Sequence, residues 1–204
     1  MSLDLTRIRA LCFDVDGTLR DTDEQWVQQL ASLLKPVRFL LPEHNAQLYA
    51  RRIVMSLDGP GNFVKGLIDT WGIDGLVAHL GDRFSKPCDQ PKTQPPLIVP
   101  GVREMLAALA RRYPLSIVSA RGQRSTRIFL DCHDLAPFFQ IVVTGQTCQH
   151  TKPYPDPILW AAERMNVPAE HCLMIGDTTV DIRAGRAAGS QTVGVLCEIG
   201  RAHV

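Results

Sequence analysis

The chain has 204 residues, 45% of them hydrophobic and 21% charged, with a formal net charge of +1 at pH 7. That length can bury a sizeable core, as one domain or as a domain carrying an insertion. The near-neutral balance argues against bulk nucleic acid or an anionic membrane as partner, and no apolar run is long enough to span a bilayer, so a cytoplasmic, reduced protein is expected.

The apolar run Ile8 to Phe13 predicts a buried strand, closed by Asp14-Val15-Asp16-Gly17-Thr18. Asp21-Thr22-Asp23-Glu24 predicts a helix start, with Asp21 as cap and Glu24 completing the box. Trp26, Leu30, Leu33 and Leu34 form its stripe, which stops before Pro36. Pro42 opens a second helical stretch with Leu48, Ile53, Val54 and Leu57 inside, broken by Gly59-Pro60-Gly61. Phe63, Val64, Leu67, Ile68 and Trp71 mark a third stripe, and Ile73 to Phe84 a fourth. Residues 20–88 therefore read as an all-helical module after the first strand, and Pro87 to Pro100 as its extended return link.

Beyond the link, helices and strands alternate. Helices are predicted over Val102–Arg112, Gln123–Cys132, Asp156–Met165 and Val180–Ala188, and strands over Leu115–Val118, Ile141–Val143, Cys172–Ile175 and Thr192–Val195. Short β-rich runs between helices imply a mostly parallel sheet covered on both faces, with ligands at the carboxyl ends of its strands. The six cysteines lack CxxC pairing and zinc-ligand spacing, and Cys12, Cys172 and Cys197 read as small core residues. The histidines have no HxH or HxxxH spacing, which speaks against a His-based metal site.

Polar residues recur where the apolar strands end. Asp14 and Asp16 follow the first strand, Ser119 the second, Lys152 lies in the loop after the third, and Asp177 follows the fourth with Asp181 one helical turn on. Carboxylates two apart on a strand point the same way and repel, a cost that a divalent cation or a shared proton offsets. Each residue also has a structural reading. Asp14 to Gly17 fits an Asx-type turn, Ser119 a helix cap, Thr178 with Asp181 a capping box, and Lys152 a solvated surface lysine. The joint recurrence at matching strand ends favours one shared site.

These residues resemble the motifs of the haloacid dehalogenase superfamily of phosphohydrolases. The first motif, DxDGT, is matched by Asp14-Val15-Asp16-Gly17-Thr18, and the second by Ser119. The third, the lysine of a KPxPDP loop, is matched by Lys152 to Pro157. The fourth, GDxxxD with a following AGxxAG, is matched by Gly176-Asp177 to Asp181 and by Ala184-Gly185 to Ala188-Gly189. The motifs occur in family order, and the style is that of the phosphoglycolate phosphatase-like branch. The resemblance implies an α/β fold: a Rossmann-like, three-layer parallel sheet from residues 1–19 and 97–204, with a helical C1 cap and Pro-rich return linker over 20–96.

The resemblance also implies a reaction. Asp14 would attack phosphorus and form an aspartyl-phosphate, and Asp16 would serve as general acid and then general base. Mg2+ would be held by Asp14, the backbone carbonyl of Asp16, Asp177 and Asp181. Lys152, Ser119 and backbone N–H groups near Ala120 would hold the phosphoryl oxygens. Because an acid stands at Asp16, phosphate transfer is favoured over dehalogenation. The substrate would be a small phosphorylated metabolite, handled by a monomer or homodimer. The alternatives are a phosphomutase or pyrophosphatase on the same core, or a non-catalytic phospho-binding or regulatory protein. Receiver-type modules also combine acids, a hydroxyl and a lysine, but place the phosphorylated Asp later in the sheet and lack the insertion.

The chain departs from the family after Ser119, where Ala120-Arg121 replaces the usual polar pair. Arg121 either supplies a replacement charge or faces solvent, with solvent the expectation. Arg20, at the hinge, either meets the leaving group or lies on the surface. In the cap, Arg51, Arg52, Lys65 and His79 read as exposed charge, and Trp26 and Trp71 as core.

Overall fold

The computed structural model of the chain describes residues 3–35, 45–50 and 97–195. Its strands are β1 (Ala10–Phe13), β2 (Leu115–Val118), β3 (Ile141–Val143), β4 (Cys172–Gly176) and β5 (Gln191–Gly194). They form one sheet in the order β3-β2-β1-β4-β5, every neighbouring pair parallel. Helices Val102–Leu109, Gln123–Cys132, Asp156–Arg164 and Thr179–Ala187 connect them. Each predicted strand and helix of this region is present, with ends that differ from the sequence reading by no more than a turn.

Alternation along the strands builds the three layers. Successive side chains point to opposite faces of a sheet. Leu11 and Phe13 of β1, Leu115 and Ile117 of β2 and Leu173 of β4 accordingly pack with Val102, Leu106, Phe129 and Leu130. Ala10, Cys12, Val118, Cys172 and Met174 point the other way, onto Ile158, Ala161, Ala162 and Ala184. Helices Val102–Leu109 and Gln123–Cys132 thus cover one face, and helices Asp156–Arg164 and Thr179–Ala187 the other. Burial on both faces explains why β1 reads as a continuous apolar run and why every residue of β2, Ser116 included, is buried. Each large side chain removed from water in this way contributes roughly 1.5–3 kcal/mol.

From β1 the chain builds outward to β2 and β3, then returns to the other side of β1 for β4 and β5. The reversal falls between β1 and β4, and a doubly wound sheet opens its ligand crevice at such a point. After β1, residues 15–20 fold into a tight turn in which the amides of Leu19 and Arg20 both donate to Val15 O, at 3.0 and 2.8 Å. The outgoing and returning segments then pair. Val99 N–H donates to Leu19 O and Asp21 N–H to Leu97 O, each at 3.0 Å. Helix Thr22–Leu34 follows, with Val27 and Ala31 packed on Ala50. The expected cap helices beyond residue 50, with Arg51, Arg52, Lys65, Trp71 and His79, lie outside the described residues, as does Cys197. Cys12 and Cys172 are buried free thiols, as expected, whereas Cys132 is disulfide-bonded, a departure from a wholly reduced chain. No helix among the described residues is long and apolar enough to cross a membrane.

Candidate active site

Strand parity places the first acid. Asp14 follows Phe13 and falls on the same side as Ala10 and Cys12, the face covered by helices Asp156–Arg164 and Thr179–Ala187. Its backbone N–H donates to Ile175 O at 2.9 Å, which extends the β1–β4 ladder and brings the ends of the two strands together. Lys152 reaches this point from the loop after β3. Its Nζ donates to Asp14 Oδ1 and to Asp181 Oδ1, each at 2.6 Å. Lys152 is only 5% exposed and Asp181 1%, so the solvated-lysine reading does not hold.

Asp181 uses its second oxygen differently. Oδ2 accepts from the Thr178 hydroxyl at 2.7 Å and from Thr178 N–H at 3.1 Å, while Thr178 caps the helix in return. Oδ2 thus serves the capping box, while Oδ1 is turned to Lys152. Asp177 joins from the end of β4. Oxygens of Asp14, Asp177 and Asp181 lie within 4.8 Å of one another. Gly17 makes room for this approach. Its φ is +75°, and a Cβ there would collide with the Asp177 carboxylate.

Asp16 is held apart from that cluster. Arg121 Nη1 contacts its Oδ1 at 2.8 Å and its Oδ2 at 3.1 Å, and Arg20 Nη1 reaches Oδ1 at 3.2 Å. The expectation that Arg121 faces solvent is corrected here: its side chain is 22% exposed and turned onto Asp16. Arg20 likewise lies on Asp16 rather than on the hinge surface. The Arg20 contact had a local signal, the i,i+4 spacing from Asp16. The Arg121 contact joins residues 105 apart, and only the pairing of β1 with β2 creates it. Ser119 is buried at the end of β2, two residues beyond Ile117, which pairs with Phe13. Its Oγ accepts from Arg121 N–H at 3.2 Å, and the N-cap of the following helix is Gly122, not Ser119. Ala120, next in sequence, is exposed.

The electrostatics follow from burial. Burial pushes the Asp14 carboxyl up to about 7, against the opposing pull of Lys152 and with help from Asp181 and Asp16. Burial alone would lower Lys152, but Asp14 and Asp181 together hold its ammonium above the usual lysine range. Asp181 is also desolvated, yet Lys152 and Thr178 bring it below the ordinary carboxylate value. Burial, then the neighbouring Arg121, lowers Arg20. Lys152 thus bridges Asp14 and Asp181, and Asp177 lies beside them. Three carboxylates with oxygens this close together form an all-oxygen donor set that fits a hard divalent cation such as Mg2+.

A parallel sheet that gathers buried carboxylates around a lysine at its carboxyl edge defines an acid-centred α/β enzyme. Comparison with known proteins gives the family. The model of the haloacid dehalogenase-like hydrolases matches residues 11–195, and the chain belongs to that family. It is 29% identical over 202 residues to "Pyrophosphatase PpaX" of Bacillus cereus (strain G9842), covering 97% of this chain and 88% of that protein. It is 37% identical over 121 residues to "Phosphoglycolate phosphatase" of Escherichia coli (strain K12), covering 59% of this chain and 47% of that protein. Among solved structures, a hydrolase from Streptococcus pneumoniae TIGR4 superposes with a TM-score of 0.63 at 22% identity, over 96% of each chain. That likeness concerns the fold.

Proposed function

We propose that this hydrolase is a Mg2+-dependent phosphatase that cleaves a small phosphomonoester through an aspartyl-phosphate on Asp14. The observation that carries the reading is the double contact of Lys152 Nζ, 2.6 Å from both Asp14 and Asp181 beside Asp177. A carboxylate oxygen of Asp14 attacks phosphorus as the bond to the leaving oxygen breaks, and Asp16 gives that oxygen its proton. Water then attacks the acyl phosphate, Asp16 takes the proton back, and the carboxylate of Asp14 is restored. Lys152, the Ser119 hydroxyl and the backbone N–H of Ala120 hold the phosphoryl oxygens while charge moves among them. Asp14, Asp177, Asp181 and the backbone carbonyl of Asp16 would hold Mg2+, which supplies positive charge between the anionic nucleophile and the anionic phosphate. The division into a core and a cap segment 20–96 is supported by the pairing of residues 19–21 with 97–99.

Phosphate release from a panel of small phosphate esters and pyrophosphate tests the reading. Release that needs Mg2+ and stops with EDTA is expected. No release from any member by folded protein with Mg2+ present would overturn it.

The buried Asp14 carboxyl also predicts a pH dependence of metal binding. Asp14 has a folded value of about 7 against an ordinary 3.8, so its contribution to stability is present below 3.8 and lost as pH rises through about 7. Mg2+ needs the ionised carboxyl and competes with the proton for it. The rise in Tm on adding Mg2+ is therefore expected to be larger at about pH 8 than at about pH 5.5. Equal shifts at both would remove Asp14 from the ligand set.

A further inference from the structure

We infer that Arg121 is a positioning residue for the general acid and base: its guanidinium holds the carboxylate of Asp16 ready for the leaving oxygen and away from the cluster of Asp14, Asp177 and Asp181. This role rests on the proposed phosphatase reading, and Arg121 acts in it through Asp16 rather than on the phosphate.

Arg121 Nη1 lies across the carboxylate, 2.8 Å from Oδ1 and 3.1 Å from Oδ2. Contact with both oxygens restrains the rotation of the group as well as its place. A carboxyl with a proton on one oxygen still accepts at the other, so the hold persists through both protonation states that acid and base duty require. The Arg121 side chain is 22% exposed and that of Asp16 36%, so the pair is partly withdrawn from water while Asp16 keeps an open side. Arg121 has little else to do. Asp16 is the hydrogen-bonding partner of its side chain among the described residues, and its Nε is buried without a hydrogen bond. Its backbone, in contrast, is tied on both sides. Ser119 Oγ accepts from its N–H at 3.2 Å, and its carbonyl accepts from Gly145 N–H at 2.8 Å. The first tie anchors Arg121 to the end of β2, and the second to the loop after β3 that also carries Lys152. Position matters because Asp16 stands two residues from Asp14, in a cluster whose three carboxylates have oxygens within 4.8 Å of one another. A fourth carboxylate swinging into it would add repulsion without a cation and become a ligand with one, and in neither case would it serve the leaving oxygen. Misplacing a reacting group by about 1 Å costs on the order of 10²-fold in rate.

Two aryl esters that differ in their need for a proton test this. p-Nitrophenolate leaves as a stabilised anion, whereas phenolate leaves well only when it is protonated. The quantity read is kcat/KM with Mg2+ present, which reports the step that expels the leaving group. Wild type is expected to hydrolyse both esters. Arg121→Met is expected to lower kcat/KM by about tenfold or more for phenyl phosphate and by less than about threefold for p-nitrophenyl phosphate. Arg121→Lys keeps the charge but not the planar fork and is expected to fall between. In the Asp16→Asn background no proton remains to be positioned, so Arg121→Met is expected to change neither value further. Equal losses on the two esters, or a further loss in the Asp16→Asn background, would put Arg121 on the phosphate or in the fold and overturn its positioning role while the phosphatase reading stands. An unchanged value for phenyl phosphate, or turnover of neither ester by wild type, overturns the role as well, and phosphate release from the wider panel then decides the phosphatase reading separately.

Discussion

Asp14→Asn is expected to abolish turnover, by on the order of 10³-fold or more in kcat, while leaving the fold intact. The amide cannot form the acyl phosphate, and no neighbouring carboxylate lies at the end of β1 to replace it: Asp16 is turned onto Arg121 and Arg20. The stability readout gives the same substitution a distinct signature. Oxygens of Asp14, Asp177 and Asp181 lie within 4.8 Å of one another, so neutralising one carboxylate relieves repulsion. Metal-free Asp14→Asn should therefore melt no lower than wild type, and its stabilisation by Mg2+ should shrink. Activity within tenfold of wild type would rule Asp14 out as nucleophile. A large drop in Tm would contradict that repulsion.

Lys152→Met is expected to act in the opposite direction on stability and the same direction on rate. It removes the cation that Asp14 and Asp181 share at 2.6 Å and leaves both carboxylates buried. Breaking a buried pair from one side costs about 3–5 kcal/mol, which at this chain length corresponds to roughly 10 °C in Tm. Mg2+ should restore part of that loss, because it supplies positive charge to the same oxygens. The rate should not recover with it. Losing a positioned donor to the transferring phosphoryl group lowers kcat by on the order of 10²–10³-fold. A variant with wild-type Tm and wild-type kcat would reduce Lys152 to a bystander. Opposite Tm shifts in the metal-free Asp14 and Lys152 variants would be difficult to obtain from packing alone, since each replacement is close in volume to the original.

Much of this arrangement was legible before any coordinates. The strands are short apolar runs bounded by polar turns, and burial on both faces makes such runs easy to recognise. The convergence of Asp14, Lys152, Asp177 and Asp181 was legible because a parallel sheet brings all carboxyl ends to one edge. What the sequence could not supply was direction within that edge. Lys152 and Arg121 are both single basic residues after a strand, and the sequence reading placed the first in the site and the second in solvent. The structure puts Lys152 on Asp14 and Asp181, and Arg121 on Asp16. Their targets depend on strand register and loop path, which no local spacing encodes. Ser119 makes a similar point. A serine before a helix suggests a cap, but the helix begins only after Gly122, and Ser119 Oγ accepts from Arg121 N–H instead.

Gly185 lies a turn beyond Asp181 and touches nothing reactive. A Cβ at that position would run into the Thr192 side chain and approach Met174 Cβ at 3.1 Å, so its bare backbone lets helix Thr179–Ala187 lie flush on β4 and β5. Asp181 is carried on the same rigid rod, with one oxygen fastened to the rod's own first turn and the other to Lys152. The depth at which that carboxylate sits is therefore metered from the far side of the helix, like the reach of a lever set by the height of its fulcrum. Bulk at residue 185 would raise the rod and draw Asp181 back from Lys152. Catalytic geometry here can be adjusted by a residue that never meets the substrate.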